Sequence, residues 1–174
     1  PRDQDIAGAD IPEITDDDGT KVRVITGEFW GKRGPVDGIA AEPQYLDITV
    51  PAGKRKVLPI DTYRSAFAYI FEGSASFRDA SRPFGVLVEK EIDGREVHLR
   101  DMSGNRTLVV FDTGDEIVVQ AGEKGVRFLL VTGKPIREPV AWHGPIVMNT
   151  QAELMQAFSE LRNGTFIREG ARMA

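Results

Sequence analysis

Histidine, a side chain with catalytic and metal-binding potential, is scarce in this sequence, which contains only His98 and His143. Cysteine is absent, and its absence excludes thiolate ligands, cysteine nucleophiles and disulfides together. The two histidines do not stand at a metal-ligand spacing such as H-x-H or H-x3-H. The sequence therefore contains no local metal motif, and a remote histidine pair completed by carboxylates is the alternative that stays open.

Other reactive groups also lack the context that their chemistry needs. A serine nucleophile is expected in a G-x-S-x-G elbow, and the sequence has none. The acidic run at residues 16–19, DDDG, has neither the ligand spacing nor the closing glutamate of a calcium loop, so it predicts a solvated turn. The basic run at residues 54–56, KRK, predicts a solvated turn or an exposed strand edge, where lysines prevent mispairing.

Charge and hydropathy exclude two further classes of partner. The 22 basic and 27 acidic residues are mixed along the chain, which leaves a net charge of −5 and no basic patch for nucleic acid. No apolar run approaches the length that crosses a membrane, and no signal-peptide pattern opens the sequence. We expect a cytoplasmic protein with neither nucleic-acid nor membrane partners.

The elements that position these side chains are predicted to be mostly strands. Short runs rich in β-branched and aromatic residues are separated by glycine, aspartate and proline turns, a pattern typical of a β-sandwich or barrel. No helix is predicted between the strands, which excludes a parallel α/β architecture. The predicted strands cover residues 21–29, 45–50, 67–71, 74–78, 96–100, 107–111, 116–119 and 126–132.

One helix is predicted near the end of the sequence. Thr150 or Asn149 can cap it, and Glu153 follows Thr150 at the spacing of a capping box. The dipeptide at residues 163–164, NG, ends the helix. Its apolar stripe must pack against this domain's own sheet or a neighbouring domain, and it consists of Leu154, Met155, Phe158 and Leu161.

Several motifs resemble the C-terminal half of the pirin family. Near the end of the chain, Gly133, EP at residues 138–139, GP at 144–145, VMNT at 147–150 and NGTF at 163–166 match in order and spacing. Earlier segments also fit that half, namely YLD at residues 45–47 and FAYIFEG at 67–73. The first six residues, PRDQDI, resemble the link between the two halves of a pirin, so the resemblance covers essentially the whole chain.

The resemblance implies an all-β fold, a cupin-type double-stranded β-helix or jelly-roll sandwich, with one C-terminal α-helix. Pirins resemble two cupin lobes in one chain, and the N-terminal lobe holds the metal through histidines and a glutamate. Several members are metal-dependent quercetin dioxygenases, and others are regulators that bind protein partners. We therefore expect an N-terminal arm or interdomain linker at residues 1–20, a degenerate cupin sandwich at 21–148, the helix at 149–163 and a tail at 164–174.

Aligning the cupin motifs on the glycines of this sequence predicts that the metal ligands are missing. Pro59 and Asp61 fall at the two histidine positions of the first motif, and Ala66 falls near its glutamate. Gly125 falls at the histidine of the second motif. The resemblance thus implies no catalytic, cofactor or metal residue in this chain, and it places iron or another divalent transition metal in the N-terminal lobe of the parent.

Three hypotheses for function follow. The favoured one is a non-metal-binding lobe, not an enzyme by itself, that structurally supports the metal-bearing N-terminal cupin lobe of the same pirin-like protein. The second is that the parent is a quercetin 2,3-dioxygenase-like metalloenzyme to which this half contributes. The third is a regulatory module that binds a protein partner through Arg64 and the basic run at residues 54–56.

Overall fold

The computed structural model of this chain describes residues 5–77, the backbone of 87–92 and 95–98, and residues 102–167. The chain divides into two compact units. The sandwich unit spans Ile6–Pro135, and the C-terminal unit begins at Ile136. This division falls ahead of residue 148, where the sequence placed the end of the sandwich.

Antiparallel strands make up most of the described chain, as the sequence predicted. In the sandwich unit they follow a 3-10 helix at Gly8–Asp10, and β13, β14 and one α-helix belong to the C-terminal unit. The elements are β1 Glu13–Thr15, β2 Lys21–Thr26, β3 Glu28–Phe29, β4 Lys32–Arg33, β5 Gln44–Val50, β6 Arg55–Pro59, β7 Ser65–Ser76, β8 Leu87–Ile92, β9 Arg95–His98, β10 Ser103–Gly104, β11 Thr107–Phe111, β12 Glu116–Gly133, β13 Ala141–His143, β14 Ile146–Met148 and α1 Gln151–Arg162.

The main sheet runs in the order β1-β2-β5-β12-β7-β11-β8-β9, while β6 also pairs with β12 and β10 with β7. The first half of β12 pairs with β6, and its second half lies between β5 and β7. The two long strands therefore change neighbours partway along, which lets a single sheet fold over itself into two layers. The sequence predicted separate strands at 67–71 and 74–78 and at 116–119 and 126–132, and the structure joins each pair into one bent strand.

Two glycines make the bend possible. Gly73 has φ +72 and Gly125 has φ +78, a region that residues with a Cβ rarely adopt. A Cβ built on Gly73 would overlap the carbonyl oxygen of Gly125, and one built on Gly125 would lie 2.9 Å from the carbonyl oxygen of Val50. The backbones of β7, β12 and the end of β5 thus approach too closely for any side chain at these positions.

The core of the sandwich unit is built from one face of each strand. In the second half of β12 alternate residues are buried, as the two-residue period of a strand requires; in β5 the apolar residues Leu46, Ile48 and Val50 follow the same period, and Asp47 between them is buried as well. Phe77, just after β7, packs edge-on against both Phe111 and Phe128, with ring centroids 5.6 Å apart in each pair. The largest fully buried side chains are Phe128, Leu46, Ile48, Leu58, Ile70 and Leu130.

An ion-pair cluster holds the acidic turn at residues 16–19 against β6. The Lys56 side chain, 13% exposed, donates hydrogen bonds to the carboxylates of Asp16 and, at 3.2 Å, of Asp18. The hydrogen bond from Lys56 lowers the pKa of Asp16. The pKa of Asp18 is lowered mainly by the hydrogen bond from the backbone N–H of Thr20, and Lys56 adds a smaller effect in the same direction. The Lys56 ammonium also lies 5.0 Å from the ring centroid of Trp30. The turn is therefore tied to the sheet, whereas the sequence predicted that it is solvated.

The C-terminal unit is a hairpin, β13–β14, packed on α1. Thr150 caps the helix: its hydroxyl accepts a hydrogen bond from the backbone N–H of Glu153, whose carboxylate accepts one from the backbone N–H of Thr150. The predicted capping box is confirmed. In the part of the chain that the structure describes, no helix is long and apolar enough to cross a membrane.

Gly73→Ala is expected to lower the free energy of unfolding by about 3 kcal/mol or more, since left-handed strain adds to overlap with a backbone that cannot move away. Gly53→Ala is the matched control, because Gly53 has φ +67 with open space around it. It should cost only about 1 kcal/mol. Urea denaturation followed by circular dichroism measures both. Equal losses of unfolding free energy in the two variants would show that the close approach of Gly73 to Gly125 does not limit the residue at position 73.

Lys56→Met is expected to lower the melting temperature at neutral pH, and the difference from wild type should disappear on acidification. The folded-state pKa values of Asp16 and Asp18 lie below their usual range, so their contribution is present above about pH 4 and is lost as the pH falls through the folded values. Thermal melts from neutral pH down to about pH 2 test this. Lys54→Met, at an exposed neighbouring position, is the control. A difference that persists at the acidic end contradicts the assignment.

Candidate interaction surface and aligned ligand positions

Two of the positions aligned with the first cupin motif lie in β6 and β7 and lack ligand atoms. Pro59 ends β6 and pairs with Glu116 of β12. Ala66, in β7, is 8% exposed and pairs with Thr132 of β12. Neither side chain carries an oxygen, nitrogen or sulfur atom, so neither can bind a metal.

The strand register does not bring Gly125 to these positions. Ala66 is paired with Thr132, seven residues beyond Gly125 along β12. Seven residues of strand span about 23 Å, whereas two ligands of one ion lie within about 5 Å of each other. The residue of β12 that faces Pro59 is Glu116. Gly125 instead serves the bend of β12, so the glycine alignment marked a structural position there.

Asp61 is the one aligned position with ligand atoms, and one of its two carboxylate oxygens is engaged in hydrogen bonds. Its Oδ2 accepts hydrogen bonds from Arg64 Nε at 2.8 Å and from the Tyr63 hydroxyl at 3.3 Å. Burial by itself lowers the pKa of Arg64, but the hydrogen bonds with Asp61 and Tyr63 outweigh it, and the net effect is a raised pKa. The carboxylate therefore holds an arginine in place.

Within the described residues, no group of three or more histidine, aspartate and glutamate side chains is placed to hold a metal ion. His143 of β13 packs edge-on against Phe158, with ring centroids 5.4 Å apart. His98 ends β9, but its side chain lies outside the described residues. Pro59, Ala66 and Gly125 offer no side-chain ligand for iron or another transition metal, which needs imidazole or carboxylate ligands.

The main sheet carries an apolar surface on the side that faces away from the core. In β7, the small residues Ala66 and Ala68 point into the core, whereas Phe67 and Tyr69 point outward and remain 40% and 38% exposed. The register continues this surface onto the neighbouring strands, because Phe67 pairs with Val110 and Val131. We call this surface the outer face; it comprises Tyr45, Phe67, Tyr69, Leu108, Val110, Leu129 and Val131.

An ion-pair network borders the outer face. The Asp47 carboxylate, 9% exposed, accepts hydrogen bonds from Arg127 Nε at 2.9 Å and Nη2 at 2.6 Å, and Arg23 Nη1 lies 3.9 Å away. The bonds to Asp47 raise the pKa of Arg127. The Arg127 guanidinium also lies 5.0 Å from the ring centroid of Phe71. An apolar centre with a charged rim is typical of protein interfaces.

Sequence reasoning missed the outer face and looked to the helix for a contact surface instead. In the C-terminal unit, Leu154 is buried against Ala141 and Ile146 of the hairpin, whereas Leu161 is 50% exposed. The predicted apolar stripe is therefore partly covered by its own unit. The signal for the outer face was the alternation of aromatic with aliphatic residues in FAYIF at residues 67–71, which marks two faces without saying which is inside.

The four cations of the predicted regulatory surface differ in their environments. Lys56 and Arg64 are 13% and 14% exposed and are paired with Asp16 and Asp61. Lys54 and Arg55 are exposed. Charge reversal at Lys56 or Arg64 would break ion pairs within the fold, so it would not isolate a partner contact.

Comparison with known proteins agrees with this architecture. A family model described as the pirin C-terminal cupin domain matches residues 45–167, which run from β5 through α1 and include the whole outer face. Among solved structures, the quercetin 2,3-dioxygenase from Acinetobacter baumannii has a TM-score of 0.71 and 27% sequence identity. That match covers 94% of this chain and 50% of the dioxygenase chain.

Curated relatives match along nearly the whole chain. Pirin-1 of Arabidopsis thaliana is 33% identical over 100% of this chain and 54% of its own length. A pirin-like protein of Caulobacter vibrioides is 34% identical over 90% of this chain and 49% of its own. A Pseudomonas aeruginosa protein provisionally named a quercetin 2,3-dioxygenase is 30% identical over 92% of this chain and 51% of its own length. The chain thus spans about half the length of these relatives, and with the family match over residues 45–167 it belongs to the pirin family as a C-terminal cupin domain.

Proposed function

We propose that this chain is a non-metal-binding cupin lobe that packs its outer face against a second, metal-bearing cupin lobe of the same protein and supports it. The order of side chains in β7 carries the proposal, because Ala66, Ala68 and Ile70 point into the core while the larger aromatic side chains of Phe67 and Tyr69 remain partly exposed on the other side. Apolar surface costs about 25 cal/mol for each Å² left exposed. Contiguous apolar patches with polar borders mark sites of interaction.

The lengths of the relatives support a partner within the same polypeptide. The matched pirins are about twice as long as this chain, so each contains a further segment of comparable size. Lobes that are linked covalently can pack through a modest interface, since linkage removes most of the entropic cost of association. The charged rim formed by Asp47 and Arg127 would fix the orientation of such a partner.

The side chains at the aligned positions suit a supporting lobe better than a metal-binding one. Pro59 and Ala66 provide no ligand, and Asp61 is paired with Arg64. We expect iron or another divalent transition metal to bind the second lobe through histidines and a glutamate, with this lobe contributing packing and shape. The role is structural, and the chain by itself is not expected to catalyse a reaction.

The two-lobe parent is, as a second candidate function, a quercetin 2,3-dioxygenase-like enzyme. The names of the Acinetobacter baumannii structure and the Pseudomonas aeruginosa relative support this candidate. Oxygen uptake by the full-length parent with quercetin tests it, with histidine-to-alanine variants of the other lobe as controls. Uptake by this chain alone would contradict the assignment of a structural role.

Purified from cells grown with added iron, copper, nickel and zinc, this chain is expected to contain far less than one metal ion per polypeptide. The reason is that the aligned positions lack ligand side chains. Elemental analysis by mass spectrometry measures the content, with the full-length parent as the positive control. A content near one ion per chain after dialysis would overturn the proposal.

Val110→Lys is expected to weaken packing between the lobes of the full-length parent by about 2 kcal/mol, since a charge replaces a valine that the second lobe would cover. Val57→Lys is the matched control, because Val57 is also a strand valine, 42% exposed against 38% for Val110, but lies in β6 and outside the outer face. Limited proteolysis between the lobes and melting temperature measure the effect. The same behaviour in both variants would argue against the outer face as the interface.

A further inference from the structure

A cleft of about 350 Å³ opens in the sandwich unit beside the β3–β4 hairpin. Its apolar side is formed by Val36, Ile39 and Pro43. Its charged side chains are Glu28, Arg33, Asp37, Glu42 and Arg64. The volume falls within the range of pockets that hold small molecules, and none of these residues belongs to the outer face.

Arg64 is fixed in the wall of this cleft by two anchors. Its side chain is 14% exposed, and its Nε donates to Asp61 at 2.8 Å while Nη1 donates to the carbonyl oxygen of Glu42. Its Nη2 approaches the Tyr63 hydroxyl only at 3.5 Å. A guanidinium has five N–H groups, so these anchors leave donors of the planar fork for an oxygen ligand. A held arginine of this kind suits a carboxylate, which it can bind through two parallel hydrogen bonds.

Glu42 adds a strained backbone to the same wall. Its φ of +46 is unusual for a residue with a side chain and costs on the order of 1 kcal/mol. The turn that imposes it is closed by a hydrogen bond from the Glu42 N–H to the carbonyl oxygen of Ile39 at 3.0 Å. This conformation directs the Glu42 carbonyl to Arg64 while the residue lines the cleft. Strain of this kind is concentrated at sites with a function.

The charges on the wall define the ligand class. Three carboxylates and two guanidiniums line the cleft, and each guanidinium already has a carboxylate neighbour: Arg33 lies 3.8 Å from Glu28, and Arg64 lies 2.8 Å from Asp61. A purely anionic ligand would meet a wall with an excess of negative charge. A purely cationic ligand would leave the fork of Arg64 without an oxygen partner. A ligand that carries both charges a short distance apart satisfies both conditions.

We infer that this cleft binds a small zwitterion of the α-amino-acid class, with its carboxylate on Arg64 and its ammonium group toward Glu42. The side chain of the ligand lies along Val36, Ile39 and Pro43. Asp61 acts as a positioning residue, because it holds Arg64 without reaching the ligand. The inference concerns the sandwich unit alone and does not depend on the second lobe.

The test uses the 174-residue chain and a panel of the common L-amino acids, with binding followed by NMR chemical shifts and calorimetry. At least one amino acid is expected to bind saturably. Its analogues without the ammonium or without the carboxylate should bind at least about tenfold more weakly, as expected for the loss of one charged hydrogen-bonding group. Absence of saturable binding across the panel, or equal binding of the analogues, overturns the inference.

Variants locate the site. Arg64→Lys keeps the charge but loses the fork, and Glu42→Gln removes the acceptor charge, so each should weaken binding about tenfold or more. Arg106→Lys and Glu123→Gln are exposed controls outside the cleft and should bind as wild type. Ile39→Trp fills the cleft without altering the Arg64 anchors and should abolish binding, which keeps the test decisive if an Arg64 variant does not fold. Unchanged affinity in Ile39→Trp and Glu42→Gln would place the ligand elsewhere and refute the assignment.

Discussion

The close crossing of β7 and β12 at Gly73 and Gly125 is the constraint on which the sandwich unit depends. Both strands run from one layer into the other, so the sheet can close over its core only where their backbones approach. A side chain at either glycine would push the layers apart. The edge-on packing of Phe77 against Phe111 and Phe128 then fills the space beside β7, where the strand itself offers small residues.

The outer face follows from that packing. On the inner side of β7, Ala66, Ala68 and Ile70 pack into the core, whereas the aromatic residues Phe67 and Tyr69 lie on the outer side. A monomeric sandwich would normally present polar residues there. An apolar outer face in place of a polar one is consistent with the proposal that a second layer of protein covers it. The Asp47–Arg127 pair would then lie at the border between the covered surface and water.

The positions aligned with cupin ligands differ in how their side chains fit the fold. The side chains of Pro59 and Ala66 are apolar and need no hydrogen-bond partner. Asp61 is polar, and its carboxylate is neutralised by Arg64. Arg64 in turn supports the cleft formed near Glu42. The ion pair at one aligned position thus anchors a neighbouring part of the surface.

The sequence by itself determined the features that depend on local composition and spacing. These are the strand class, the capped helix at α1, the shortage of metal ligands and the family motifs, and each is readable within a few residues. Only the tertiary structure decided which face of β7 is covered, that Lys56 meets Asp16 and Asp18, and that Gly125 lies far from Ala66. A period of two distinguishes the faces of a strand without assigning the core side, and contacts between distant segments depend on register, which no local pattern specifies.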